Sequence, residues 1–229
     1  MKAQAHRIEE LRRCRFEANL EKTPQWKKRC GTALLACLLA IGCSAARAQD
    51  AGKALLLVAT PTLQGPYQQT ALVVVPVEDK HIGFILNRAT DVKLSTLFPQ
   101  HAPAATVVDP VYFGGPEMAQ SLFAVVRRNP GGQSLQLLGD LFVTGREDAI
   151  NRIIEQTPNE ARYFAGFVGW LPGELESEIR RGLWYVAEPD SRLVFRQDTS
   201  GLWRELVKRL DNSQPPRRVL GQIEARLAQ

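Results

Sequence analysis

Cysteine is missing from residues 49–229: Cys14, Cys30, Cys37 and Cys43 all lie in the first 48 positions. A body of 181 residues without cysteine has no disulfide framework, no thiolate metal site and no thiol nucleophile. A surplus of positive charge is missing from the same segment. The chain as a whole has a net charge of +5, yet residues 49–229 hold 19 basic and 20 acidic residues, a net charge of −1. That balance is not the electrostatic footprint of a dedicated nucleic-acid binder. Histidine is scarce too, with only His81 and His101 in the body, and neither stands in a ligand spacing such as HExxH. No GxSxG elbow and no Asp-x-Asp pair is present, so no nucleophile–base pair, metal site or cofactor site can be read from motifs. A catalytic role has no support at this level, and no metal or cofactor is expected.

What is present divides at the same boundary. Residues 27–48 read KKRCGTALLACLLAIGCSAARA: three positive charges, an uncharged and mostly apolar run over 31–46, then Ala46-Arg47-Ala48. This order is that of a secretory signal peptide cleaved after Ala48. The run falls short of the roughly 20 apolar residues that a membrane-spanning helix needs. "AIGC" also resembles a lipoprotein cleavage box, which would place a lipid on Cys43 and tether the mature chain to a membrane. The expectation is therefore an exported, periplasmic protein. The alternatives are a lipid-anchored form, or a cytoplasmic protein if residues 1–48 are no signal. A membrane would be touched only through the leader or that lipid.

Residues 49–210 are expected to form one domain, with a polar tail over 211–229 after the break at Pro215-Pro216. The apolar, β-branched runs ALLLVA (54–59), ALVVVPV (71–77) and IGFIL (82–86) read as buried strands. KLSTLF (93–98) reads as a short helix stopped by Pro99, and 99–110, with three prolines, as a surface loop. SLFAVVRR (121–128) is a strand, and Asn129-Pro130-Gly131-Gly132 signals a hairpin. Thr144 and Glu147 are spaced as a capping box before a helix that places Ala149, Ile150, Ile153 and Ile154 on one face. RYFAGFVGW (162–170), LWYVA and RLVF (192–195) read as strands, with a Glu-to-Arg graded helix between the first two that ends at Gly182. Leu202, Trp203, Leu206, Val207 and Leu210 mark a final amphipathic helix. Strands in runs, with helices between only some of them, define an α+β class.

Three blocks carry a resemblance. They are LLLVATPTLQGPYQQTALVVV with IGFILNRAT, then PVYFGGPE, then FAGFVGWLPGELESEIRRGLWYVAEPD followed by RLVF and LW. Their order and spacing resemble the YqgE/AlgH family over about residues 52–210. The resemblance implies a single α+β domain with a barrel-like mixed β-sheet flanked by helices. It brings no agreed activity, although some members carry a transcriptional-regulator label. Gly65, Gln68-Gln69 and Ala89 depart from the family's habitual residues, and the leader is not typical of it.

The candidate ligand groove is Asn87, Arg88, Gly114, Gly115 and Glu117. Asn87-Arg88 ends a strand ahead of a loop, where functional side chains gather. Arg88 has the planar fork that clamps a carboxylate or phosphate, or else it pairs with an internal acid. Asn87 can fix a turn through its own side chain. Gly114-Gly115-Pro116 has too few residues before the next strand to open a phosphate-binding helix, so it reads as a turn. Trp170 reads as a packing residue. The functional expectation is a non-catalytic binding or accessory module of the cell envelope, with a small molecule or protein as partner. A cytoplasmic transcriptional regulator and a hydrolase are the alternatives.

Overall fold

The computed structural model describes residues 54–213, and the leader and the polar tail beyond Ser213 lie outside them. Among the described residues nine strands form one mixed sheet, eight of them in the order β6-β7-β5-β8-β3-β2-β1-β9. They are β1 Leu55–Ala59, β2 Ala71–Val77, β3 Lys80–Ile85, β4 Tyr112–Phe113, β5 Glu117–Val126, β6 Leu135–Leu138, β7 Leu141–Thr144, β8 Ala161–Trp170 and β9 Trp184–Ala187. Every pairing along that path is antiparallel, and the short β4 adds to β8 in parallel. The helices are α1 Leu94–Leu97, α2 Glu147–Gln156, α3 Glu174–Arg180, α4 Ser191–Val194 and α5 Leu202–Ser213.

β1 and β2 are unbroken apolar runs because both faces of the sheet are covered there. Leu56, Val58, Val73 and Val75 point to one core, while Leu55, Leu57, Leu72 and Val74 point to another. The first core is the concave side of a curled half-barrel. It joins Val73 and Val75 of β2 to Leu137 of β6 at the far end of the sheet, and α5 closes it with Leu202, Leu206, Val207 and Leu210. The convex side is divided between α3, with Leu175 and Ile179, and α2, with Ile150, Ile153 and Ile154. Each fully buried aliphatic or aromatic side chain contributes about 1.5–3 kcal/mol, so three such cores hold the domain together.

β8 is the hinge of the curl. Tyr163 and Ala165 face the α2 side and Val168 and Trp170 the α3 side, three positions later instead of two. The extra residue is Gly166, at φ +69°. Opposite it, the β5 register shifts between Glu117 and Leu122. A bulge of this kind bends and twists a strand. It lets β8 pair with β5 on one edge while β4 and β3 follow one another along the other.

Several local expectations give way to long-range packing. The Asn129–Gly132 turn forms, with Asn129 Oδ1 accepting from Gly131 N at 2.9 Å, but it closes no hairpin between β5 and β6. The two-residue link Gly139-Asp140 pairs β6 with β7, and β7 takes the place beside β5. RLVF is not a strand: Asp190 accepts the Arg192 N–H at 2.9 Å and caps a helical turn, α4. The Thr144–Glu147 capping box does not form, because the Thr144 hydroxyl accepts from Arg146 N and the helix starts uncapped after Arg146. The proline-rich 99–110 segment holds a 3-10 turn at Ala102–Thr106, and Ala104 and Val107 are buried in it. β5 starts at Glu117, earlier than Ser121, which leaves Gly114-Gly115-Pro116 as the whole connection from β4.

Candidate functional site

An open cleft of about 600 Å³ lies where three chain segments meet: Asn87–Ala89, Pro110–Phe113 and Gln197–Ser200. The first two are stitched together by backbone. Phe113 N donates to Arg88 O at 2.8 Å, and Ala89 bridges Tyr112. The third is tied on by the Tyr112 hydroxyl, which donates to Gln197 O at 3.3 Å.

Behind Tyr112 sits Arg162, a buried cation on the concave face with a side chain only 1% exposed. Its Nη1 donates to Arg196 O at 2.7 Å and its Nη2 to Asp109 Oδ2 at 2.9 Å. The guanidinium lies 4.4 Å from the centroid of the Tyr112 ring. Arg162 thus fixes the segments on both sides of the cleft, and sequence reasoning passed over it. The signal was there: in RYFAGFVGW, Arg162 and Phe164 are two apart and share a strand face that is otherwise apolar.

The predicted groove residues divide into three roles. The Asn87 side chain staples the β1–β2 loop, its Oδ1 accepting from Ala71 N and its Nδ2 donating to Gln69 O, both at 2.9 Å. Arg88 lines the cleft but pairs with no acid among the described residues. Its one side-chain hydrogen bond among the described residues is Nη2 to Gln68 O at 3.4 Å. Burial pulls its pKa below the ordinary arginine value, with Tyr67 acting in the opposite direction. Gly114 and Gly115 do not line this cleft. A Cβ on Gly114 would lie 2.2 Å from Gly166 O, and one on Gly115 would lie 2.2 Å from the Phe167 carbonyl carbon. The Gly114 backbone is committed too, donating to Ala165 O and accepting from Ile85 N. Glu117 belongs to a separate acidic group. Burial, then Glu117, Glu178 and Glu174, raise the Tyr67 pKa, against the pull of Arg88.

On the third segment, Asp198 Oδ1 accepts from both Ser200 N, at 3.0 Å, and Ser200 Oγ, at 2.7 Å. Those bonds hold its carboxyl below the usual range. It is therefore a weak base for Ser200, and the pair is poorly matched to nucleophilic catalysis. Among the described residues no group of three His, Cys, Asp or Glu side chains could hold a metal ion, and no helix is long and apolar enough to cross a membrane.

The two histidines have separate partners. His101 Nδ1 meets Glu155 on α2. His81 Nδ1 lies 4.0 Å from Glu176 Oε1, and neither that nitrogen nor Glu176 Oε2 makes a hydrogen bond among the described residues. Burial lowers the His81 pKa, and the attraction of Glu176 offsets this only in part. Trp170, buried as expected, donates its indole N–H to Glu178 Oε2 at 2.9 Å, and Trp184 donates to the same oxygen at 2.8 Å. Because the folded His81 pKa lies below the unfolded value of about 6.5, the unfolded chain binds the proton first on acidification. The stability tied to neutral His81 is complete above about pH 6.5 and declines as pH falls toward the folded pKa. Wild type should therefore lose stability relative to His81→Gln between about pH 7 and pH 5 in urea titrations. Parallel curves for the two proteins across that window would disprove the assignment.

A curled half-barrel sheet with a helix closing its concave side, in a single α+β domain, defines the fold class. Residues 56–214 match the AlgH-like family model, DUF179, and the chain belongs to that family. It is 34% identical over 166 residues to a UPF0301 protein of Streptomyces avermitilis, covering 69% of this chain and 86% of the relative. It is 29% identical over 164 residues to one of Parabacteroides distasonis, covering 69% and 82%. The solution structure of the AlgH protein from Pseudomonas aeruginosa is similar in fold, with a TM-score of 0.59 at 22% identity over 73% of this chain and 96% of that one. None of these names states an activity or a ligand.

Proposed function

We propose that this protein is a non-catalytic binding or accessory module of the cell envelope, and that its small-molecule or protein partner occupies the cleft beside Arg88. The observation that carries the reading is a half-buried guanidinium without an acid partner among the described residues, set in an open cleft. A partly desolvated charge with one long hydrogen bond gains more from an incoming acceptor than a paired or fully hydrated one does. A volume of about 600 Å³ falls within the range of small-ligand sites. The leader supports the envelope part: residues 27–48 have the order of a cleavable signal, with Ala48 as the cleavage residue and Cys43 as the lipidation alternative. The net charge of −1 over residues 49–229 stands against a DNA-acting regulator.

The test joins location to binding. Intact mass and fractionation of the natively expressed protein should give a species outside the cytoplasm that begins at Gln49, or one acylated at Cys43. A fragment screen on the purified protein should give hits that shift the resonances of Arg88 and the 197–200 segment. A cytoplasmic chain retaining residues 31–48, together with sub-micromolar and salt-sensitive DNA binding, would return the regulator reading to first place.

A further inference from the structure

The cleft lining carries two opposite charges on different chain segments, and among the described residues no ion pair engages either of them. On one side Arg88 offers N–H donors in a planar fork, and among the described residues only Nη2 is engaged, at 3.4 Å. That fork matches the two oxygens of a carboxylate or phosphate. On the other side Asp198 is held in place through Oδ1 by both Ser200 donors, which leaves Oδ2 without a hydrogen bond among the described residues. An ionised carboxylate accepts through both oxygens, so Oδ2 can take an ammonium or amide N–H. The remaining segment lines the cleft with Pro110 and the half-buried Phe113, which carry no charge.

A simple anion would gain from Arg88 but would also feel Asp198, and a simple cation would meet the reverse arrangement. A ligand carrying both charges avoids each conflict. Resting on the binding-module reading above, we propose that the cleft takes a small zwitterion, its carboxylate or phosphate on the Arg88 fork and its primary ammonium on Asp198 Oδ2. Two sources supply that chemistry: a free amino acid, or the phosphoethanolamine of a lipid headgroup.

The experiment is an amide-resonance titration of the full-length protein with a graded set of probes. The set comprises acetate, inorganic phosphate, methylammonium, phosphoethanolamine, and the ω-amino acids from glycine to 6-aminohexanoate. At least one zwitterion should perturb residues 87–89, 113 and 197–200 with a Kd at least tenfold below those of acetate, phosphate and methylammonium. Affinity along the ω-amino acid series should peak at one chain length, set by the span between the walls. A best ligand in that series points to a free amino acid, whereas preference for phosphoethanolamine points to a headgroup. Arg88→Ala and Asp198→Asn should each weaken the best zwitterion tenfold or more. Arg88→Lys, which keeps the charge without the fork, should fall between Arg88→Ala and wild type and serves as the folding control. Equal affinity for acetate or phosphate, or an unchanged Kd in Asp198→Asn, would overturn the zwitterion. Cleft binding by fragments of other chemistry alone would overturn it while leaving the binding-module reading in place. No cleft perturbation by any probe or fragment would remove both.

Discussion

Alanine at Gly115 is expected to cost at least about 3 kcal/mol, the upper end of overpacking losses, and to leave much of the protein unfolded at moderate urea. Gly115 does not have positive φ, so alanine meets no dihedral penalty there. The cost is overlap. The added Cβ would lie 2.2 Å from the Phe167 carbonyl carbon, 2.3 Å from its oxygen and 2.5 Å from Val168 N. All three are backbone atoms of β8, and β8 cannot retreat because it pairs with β5, β4 and β3 at once. Gly166 meets the same obstruction from the other side, where a Cβ would lie 2.3 Å from Gly115 O. The glycines of the two segments interlock at the bulge that bends the sheet. Gly131→Ala supplies the contrast, since Gly131 has φ +81° and nothing within 4 Å of its would-be Cβ. That variant should lose only the αL cost of about 1–2 kcal/mol. Urea midpoints of the two variants decide the matter. A Gly115→Ala protein as stable as Gly131→Ala would show that the two strands can separate and that the interlock is not what shapes the sheet.

The same glycines show how far the sequence could be read. In YFGGPEM the shortness of the link to the next strand excluded a phosphate loop. It could not show that the glycines press on Gly166, about 50 positions away along the chain. The apolar runs of β1 and β2 were legible because burial on both faces leaves a continuous hydrophobic signal, and α2 because its isoleucines repeat at helical spacing. Strand partners were not legible. Asn129–Gly132 specifies a reversal, but the partner of β5 is chosen by the tighter Gly139-Asp140 hairpin, which carries β7 alongside. Four residues such as RLVF can be strand or helical turn, and Asp190 decides between them from outside the segment. Of the site, Arg88 was found because Asn87-Arg88 ends a strand. The facing wall, Gln197–Ser200, is a short polar stretch with no signal of its own, and it becomes a wall only when Tyr112 and Arg162 hold it there.

That holding role makes Arg162 the second position of large expected effect. Arg162→Ala should cost about 3 kcal/mol, toward the lower end of the range for breaking a buried ion pair. The lower end applies because Asp109, 35% exposed, can be rehydrated once its partner is gone. What cannot be replaced is the packing of the guanidinium on Tyr112 and the donor to Arg196 O at 2.7 Å. Arg162→Met separates volume from charge. A thioether chain fills most of the same space, and Asp109, 35% exposed, can be rehydrated, so the packing part of the loss is restored. The methionine variant should therefore recover at least half of the stability lost in the alanine variant, as read from urea midpoints. It should not recover the cleft. Without the bonds to Asp109 and Arg196, the Gln197–Ser200 segment is held only through the 3.3 Å Tyr112 bond. A ligand bound at Arg88 should then bind more weakly, although Arg162 does not line the cleft. Stability restored in Arg162→Met with wild-type affinity would show that the buried cation serves the core alone. A loss below about 1 kcal/mol in Arg162→Ala would show that it serves neither, because even a single buried hydrogen bond lost accounts for about that much.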